Sequence, residues 1–251
     1  MYHLIANFNR ASLSYDSVAS VQEVCARKLV DKLKQHFPDF YPDAILDLGT
    51  GTGCVPQVLL ETFPKSQYTL TDRAIRMLQM AKEKLSAHGN IRYTLNDIEK
   101  DKFGFYPLIT SNFVFQWAQD LYSILKKFYQ TSDVLAFSCL LQGTFDEWAS
   151  LFRSLSLPIP TYTYPSLDEL KKYMLALSPK GSSRKCFFDT QQFTLDFEHP
   201  AAFMRYLKSL GANQASHTIA VGDLRRLVRA YSSRGNSPFS VSYNVFFGVL
   251  G

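Results

Sequence analysis

Short apolar runs recur along the first half of the chain, and between them apolar residues fall three and four positions apart. The runs Ala44–Leu48, Tyr68–Thr71, Ile91–Leu95, Leu108–Ser111 and Val134–Cys139 read as strands. The intervening patterns predict helices near Val55–Phe63, Ala74–Ser86 and Leu121–Tyr129, with another after Gly143-Thr144. An amphipathic helix over about Val18–His36 precedes the first strand, and Pro38 and Pro42 separate the two. Strands alternating with helices imply a parallel sheet. Farther on, Phe187–Phe197 alternates, and Val241, Tyr243, Val245, Phe247 and Val249 alternate strictly. These predict two final antiparallel strands. Helical spacing returns at Ser166–Leu177, Pro200–Leu210 and Gly222–Ser232. The fold expected is α/β and Rossmann-like: a mostly parallel seven-stranded sheet, helices on both faces, and a C-terminal helical cap.

Composition excludes several classes. No apolar run approaches the roughly 18 residues that cross a bilayer, and Met1–Arg10 lacks the pattern of a signal peptide. The four cysteines, Cys25, Cys54, Cys139 and Cys186, form no C-x-x-C pair. A metal site and a disulfide framework are therefore not expected, and a cytoplasmic location fits. Charge is asymmetric. Residues 1–158 hold 16 Lys and Arg against 16 Asp and Glu, whereas residues 159–251 hold 11 against 6. The whole net charge of +5 thus lies in the last third. A basic face there suits an acidic partner, the alternative being a solvated surface with none.

The chemistry starts at Leu46-Asp47-Leu48-Gly49-Thr50-Gly51-Thr52-Gly53. A strand running into glycines two apart and then a helix makes a tight turn that a nucleotide-like cofactor approaches closely. A dinucleotide site wants G-x-G-x-x-G or G-x-G-x-x-A. Counted from Gly49 the third small position holds Cys54, and from Gly51 it holds Pro56, so neither register matches. Acid-x-G-x-G-x-G instead resembles the first motif of class I S-adenosylmethionine-dependent methyltransferases. On that footing Asp47, Gly49, Gly51 and Gly53 are cofactor-binding. Asp72 closes the second strand, where an acid accepts from ribose hydroxyls or caps the next helix. Asp97 and Ile98 follow the third strand, and there an acid and an apolar residue suit an adenine ring, a polar turn being the alternative. Ser111–Trp117 follows the fourth strand and should overhang the sulfonium end. Asn112 and Gln116 then line the transfer channel, and Phe113, Phe115 and Trp117 either face the cofactor or join the core. Phe8–Asp16 reads as a lid carrying Tyr15, or as a simple helix start.

Six elements occur in order: Phe8-x-Arg10-Ala11-x(3)-Tyr15-Asp16, the glycine run, Asn96-Asp97-Ile98-Glu99, Ser111-Asn112-x(3)-Gln116-Trp117, Phe137-Ser138-x-Leu140-x(2)-Gly143-Thr144, and Tyr206-Leu207-Lys208-x-Leu210-Gly211-Ala212. Together they resemble the malonyl-acyl-carrier-protein O-methyltransferases of biotin synthesis over nearly the whole chain. Pro107, where an acid often stands, and the Ser178–Ser183 loop depart from that pattern. The resemblance implies a class I methyltransferase fold in a single domain, residues 1–251. Within it, residues 1–40 form the lid and first helix, 41–158 the cofactor-binding core, 159–236 the cap and sixth strand, and 237–251 the last strand. It implies S-adenosylmethionine as cofactor and methyl transfer to the free carboxylate of a malonyl thioester. A carboxylate is ionised near neutrality, so no general base is required. An arginine fork is the expected anchor for its second oxygen, with Arg205 the candidate and Tyr15 and Gln116 the neutral alternatives. The expected partner is an acidic acyl carrier protein with a malonyl-phosphopantetheine arm, steered by Arg205, Lys208, Arg225, Arg226 and Arg229; no nucleic acid or membrane is expected. The rival readings are a methyltransferase for another small carboxylic acid or metabolite, and a methyltransferase-like assembly factor.

Overall fold

The computed structural model describes residues 2–159, 163–178, 183–212, 221–232 and 238–251. Most of the Ser178–Ser183 loop lies outside these. The five early apolar runs form β1 (Ala44–Leu48), β2 (Gln67–Asp72), β3 (Ile91–Leu95), β4 (Tyr106–Asn112) and β5 (Ser132–Leu140), and the two alternating runs form β6 (Cys186–Phe197) and β7 (Phe239–Leu250). One sheet results, in the order β3-β2-β1-β4-β5-β7-β6. Strands β1 to β5 pair in parallel, while β7 runs antiparallel to both β5 and β6. The chain reverses its direction of travel across the sheet between β1 and β4, and a crevice opens at the carboxyl ends of such strands.

Alternation along the strands sends side chains into two separate cores. On one face Ile45, Leu70, Leu108, Val134 and Ala136 pack with α3 (Ser20–His36), α4 (Cys54–Thr62) and α7 (Asp146–Ser154). The same core takes Phe203 from α9 (Pro200–Ser209) and Leu227 from α10 (Val221–Ser232). On the other face Leu46, Leu48, Ile109, Leu135 and Phe137 pack with α6 (Leu121–Gln130) and α8 (Leu167–Leu177). The late helices therefore divide. Leu170 and Met174 carry α8 to the α6 side, and α9 and α10 lie on the α3 side. Helix α5 (Ile75–Lys84) follows β2 and buries Met77, Leu78 and Ala81. Before α3 the structure has two helices that periodicity did not predict, α1 (Tyr2–Ala11) and the single turn α2 (Tyr15–Val18). No helix among the described residues is long and apolar enough to cross a membrane.

Candidate active site

The glycine run leaves β1 in left-handed backbone, with φ of 61° at Gly49, 56° at Gly51 and 87° at Gly53. L-residues with a Cβ resist that region, which explains the three glycines. A Cβ on Gly49 would stand 2.4 Å from Cγ2 of Val114, whereas one on Gly51 would meet nothing within 4 Å. The open space at Gly51 belongs to a solvent-open cleft lined by Phe8, Tyr15, Asp72, Ile98, Asn112 and Trp117. Gly53 does not line it. Its missing Cβ faces Leu85 and Ala81, so this glycine serves helix packing rather than ligand contact.

Asp72 organises the loop from the next strand. Its Oδ2 accepts the Gly51 N–H at 2.9 Å and its Oδ1 accepts the Ala74 N–H at 2.8 Å. The turn-starting bond and the cleft-facing position thus coexist, since the carboxylate also lines the cleft. Burial raises its pKa, while the Ala74 and Gly51 N–H groups act the other way. Asp47 sits in an adjoining cavity of about 410 Å³ with Gly49, Gly51 and Asn112. It is 1 % exposed and accepts the Thr110 hydroxyl at 2.7 Å. Burial outweighs that bond and pushes its carboxyl up to about 7.

Ile98 and Glu99 wall the cleft after β3. Asp97 does not: its Oδ1 accepts the Glu99 N–H at 3.0 Å, which spends the side chain on the turn itself. After β4, Asn112 bridges two elements. Its Nδ2 donates to the Gln22 carbonyl at 3.1 Å and its Oδ1 accepts the Ser138 hydroxyl. Phe113 and Trp117 line the cleft, but Phe115 is fully buried against Phe128 and Phe137, so it belongs to the core. Phe113 is itself at φ 56°, a backbone state rare outside glycine. Its carbonyl accepts both Gln116 Nε2 at 3.0 Å and Trp117 Nε1 at 3.1 Å.

The segment before α3 does fold over the site. Phe8 meets Trp117 edge-on at 5.8 Å, and Asn9 Oδ1 accepts the Arg76 N–H at 2.9 Å. Asp16 accepts the Thr52 hydroxyl at 2.5 Å and forms an ion pair with Lys84. Phe8, Tyr15, Phe113 and Trp117 also bound a third space of about 460 Å³, completed by Gln22, Gln116, Tyr164 and Tyr243. Tyr15 borders all three cavities. Burial raises its phenol well above the usual value, so it remains a neutral donor.

Arg205 is not in this chamber. Helix α9 turns Phe203, Tyr206, Leu207 and Leu210 inward, at spacings of three and four, and leaves Arg205 and Lys208 exposed. The structure does not bring the expected arginine to the chamber lining. Arg225, Arg226 and Arg229 are likewise exposed on α10, with Arg226 paired to Asp223 at 3.3 Å. Gln116 does line the chamber, but its Nε2 is tied to Phe113 and its Oε1 is buried without a partner. Gln22, not anticipated from sequence, lines two cavities with its Oε1 also unpartnered. Its signal was a polar residue on the buried stripe of α3 shared by Cys25, Ala26, Leu29 and Leu33.

A methyltransferase-domain family model matches residues 46–132. A malonyl-[acyl-carrier protein] O-methyltransferase from Neorickettsia risticii is 35% identical, covering 98% of this chain and 94% of that protein. One of the same name from Bacillus cytotoxicus is 38% identical over 89% and 81%. Among solved structures, the plantazolicin methyltransferase BpumL in complex with SAH superposes at a TM-score of 0.58 with 14% identity, covering 98% of this chain and 93% of that one. The YcgJ protein of Bacillus superposes at 0.59 with 13% identity, covering 89% and 97%. At such identities the two structures speak for the fold alone.

Proposed function

The chain belongs to the malonyl-[acyl-carrier protein] O-methyltransferase family, and we propose that it methylates the free carboxylate of a malonyl thioester carried on acyl carrier protein. The product would be the malonyl methyl ester that primes biotin synthesis. The methyl donor is S-adenosylmethionine, and the residues present fit it. Gly51 leaves an open approach, Asp72 has unused lone pairs facing the cleft, and Asp47 lies buried where a cationic amino group would stabilise its charge. Ile98, Met77 and Asn112 line the cleft; the first two would cover an adenine ring and Asn112 would meet the methionine portion.

The bound donor supplies a methyl group on a sulfonium. The acceptor's carboxylate oxygen would form the new C–O bond as the C–S bond broke, that bond's electron pair passing to sulfur. No proton would move, so no general base is asked of the protein. What these residues contribute is orientation and dryness. The rings of Trp117 and Tyr15 suit a sulfonium cation at the junction of cleft and chamber. The lid, latched through Asp16, keeps water from that junction.

The observation that carries this reading is adjacency: Phe8, Tyr15, Phe113 and Trp117 line both the cleft and the chamber, so the two spaces adjoin. A donor in one and an acceptor in the other would meet where they join. We read the chain as one methyltransferase domain working in the cytoplasm, where its four free cysteines stay reduced. Exposed Arg205, Lys208, Arg225, Arg226 and Arg229 would steer an acidic carrier to the chamber's mouth. Mass spectrometry of malonylated carrier protein after incubation with enzyme and S-adenosylmethionine should register the gain of one methyl group. An unchanged mass, with the cofactor bound, would defeat the assignment.

A further inference from the structure

The described lining of the acceptor's chamber carries no charged side chain. Among the described residues, its lining consists of aromatic and aliphatic side chains with the two amides of Gln22 and Gln116. None of these described lining residues is a lysine, arginine or histidine, although the expected occupant is an anion. The two buried polar atoms left without partners there, Gln22 Oε1 and Gln116 Oε1, are acceptors, and neither attracts a carboxylate. Burial keeps the phenols of Tyr15 and Tyr243 protonated. Tyr15 can donate a hydrogen bond, the Tyr243 hydroxyl already donates to that of Tyr206 at 3.1 Å, and neither supplies charge.

Building on the function proposed above, we infer that the cofactor's sulfonium is the counter-ion of the acceptor carboxylate, so the acceptor binds firmly only to the charged-cofactor complex. A carboxylate entering a dry, neutral chamber loses hydration that only an opposite charge close by restores. A sulfonium at the junction that Phe8, Tyr15, Phe113 and Trp117 surround would stand beside the acceptor, within a low-dielectric enclosure where that attraction is strong. Transfer then removes both charges at once, because an anion and a cation become an ester and a thioether. Neither product keeps a partner that holds it. A fixed arginine would act in the opposite sense. It would stabilise the ground-state carboxylate, oppose its neutralisation in the transition state, and be left buried and unpaired against the ester. The outward turn of Arg205 accords with this logic.

The test compares two complexes of the intact protein by calorimetry. One holds S-adenosylhomocysteine, whose sulfur is neutral. The other holds an analogue with a primary ammonium in place of the sulfonium. Malonyl-pantetheine is titrated into each, with its methyl ester as an uncharged control. Malonyl-pantetheine should bind the ammonium complex at least ten-fold more tightly, or about 1.4 kcal/mol, and the methyl ester should show no such preference. Equal affinities for malonyl-pantetheine would overturn the inference, even if the carrier-bound substrate is methylated normally. The same preference in the methyl ester would also overturn it, by pointing to lid closure rather than charge. If malonyl-pantetheine bound neither complex and malonylated carrier gained no methyl group, the proposed function would fall as well. As a second measurement, Gln116→Lys should erase the difference between the complexes and slow turnover.

Discussion

The Thr52 hydroxyl donates to the Asp16 carboxylate at 2.5 Å, joining the lid to the glycine loop it covers. The same carboxylate pairs with Lys84 at the end of α5. One side chain therefore ties three elements around the cleft. Replacing it should loosen closure without disturbing the sheet. Asp16→Ala is expected to weaken S-adenosylhomocysteine binding about five-fold, the worth of roughly 1 kcal/mol for a partly exposed charged contact. Amide exchange over residues 8–18 should quicken in the same variant. Unchanged exchange there would mean the latch does not hold the lid.

Asp47 should make both stability and cofactor binding pH-dependent. Burial holds its folded pKa at about 7, above the ordinary carboxylate value of 3.8. Between those values the folded protein holds a proton that the unfolded chain has released, so stability falls as pH rises through about 4 to 7. The slope approaches 1.4 kcal/mol per pH unit. Asp47→Asn should flatten that decline in urea titrations across the same window. A cationic amino group beside Asp47 favours its ionised form, so cofactor binding near pH 7 should release a proton. Calorimetry in two buffers of different ionisation enthalpy measures it, and zero release would exclude Asp47 from the amino-group site.

Gly51 and Gly53 should separate by phenotype, though both sit at positive φ. A side chain at Gly51 enters the cleft, so Gly51→Val should lower S-adenosylhomocysteine affinity at least a hundred-fold. Gly53→Ala meets Leu85 Cδ1 at 3.1 Å and strains the start of α4. It should lower the melting temperature by several degrees while affinity changes less than ten-fold. If the two variants lost affinity equally, Gly53 would rank as a contact after all.

Reversal of Arg205 and Arg226 together should reduce kcat/KM for carrier-bound substrate at low salt by ten-fold or more. Malonyl-pantetheine should be unaffected, because neither residue lines the chamber. The difference should shrink as salt rises. Equal loss on both substrates would relocate these residues to the site itself.

Much of this arrangement is legible in the chain. Strand alternation and glycine spacing locate β1, its loop and the acid of β2, because buried strands and left-handed turns restrict residue choice locally. Arg205 stands outside the chamber lining for a reason that is also local. Its neighbours Phe203, Tyr206, Leu207 and Leu210 form the apolar stripe, and Arg205 falls off it. Helical phase alone would have turned it outward. The placement of Asp97 was not legible, because a carboxylate after a strand serves a turn as readily as a ligand, and here its Oδ1 accepts the Glu99 N–H. The division of α8 from α9 and α10 was not legible. It depends on which face each helix finds across the sheet, and amphipathicity does not specify that.

Gly211 closes α9 at φ 71°, and a Cβ there would stand 2.9 Å from the Phe8 backbone. Nearby, the Ser14 hydroxyl donates to the Ser209 carbonyl at 3.2 Å. The first and last thirds of the chain thus touch backbone to backbone above the site, with no side chain between them to absorb a mismatch. Lid and cap are in this sense one inherited part. A chimaera that borrows a relative's cap to change substrate preference should borrow that relative's residues 1–18 as well, for the fit at Gly211 cannot be made from one side.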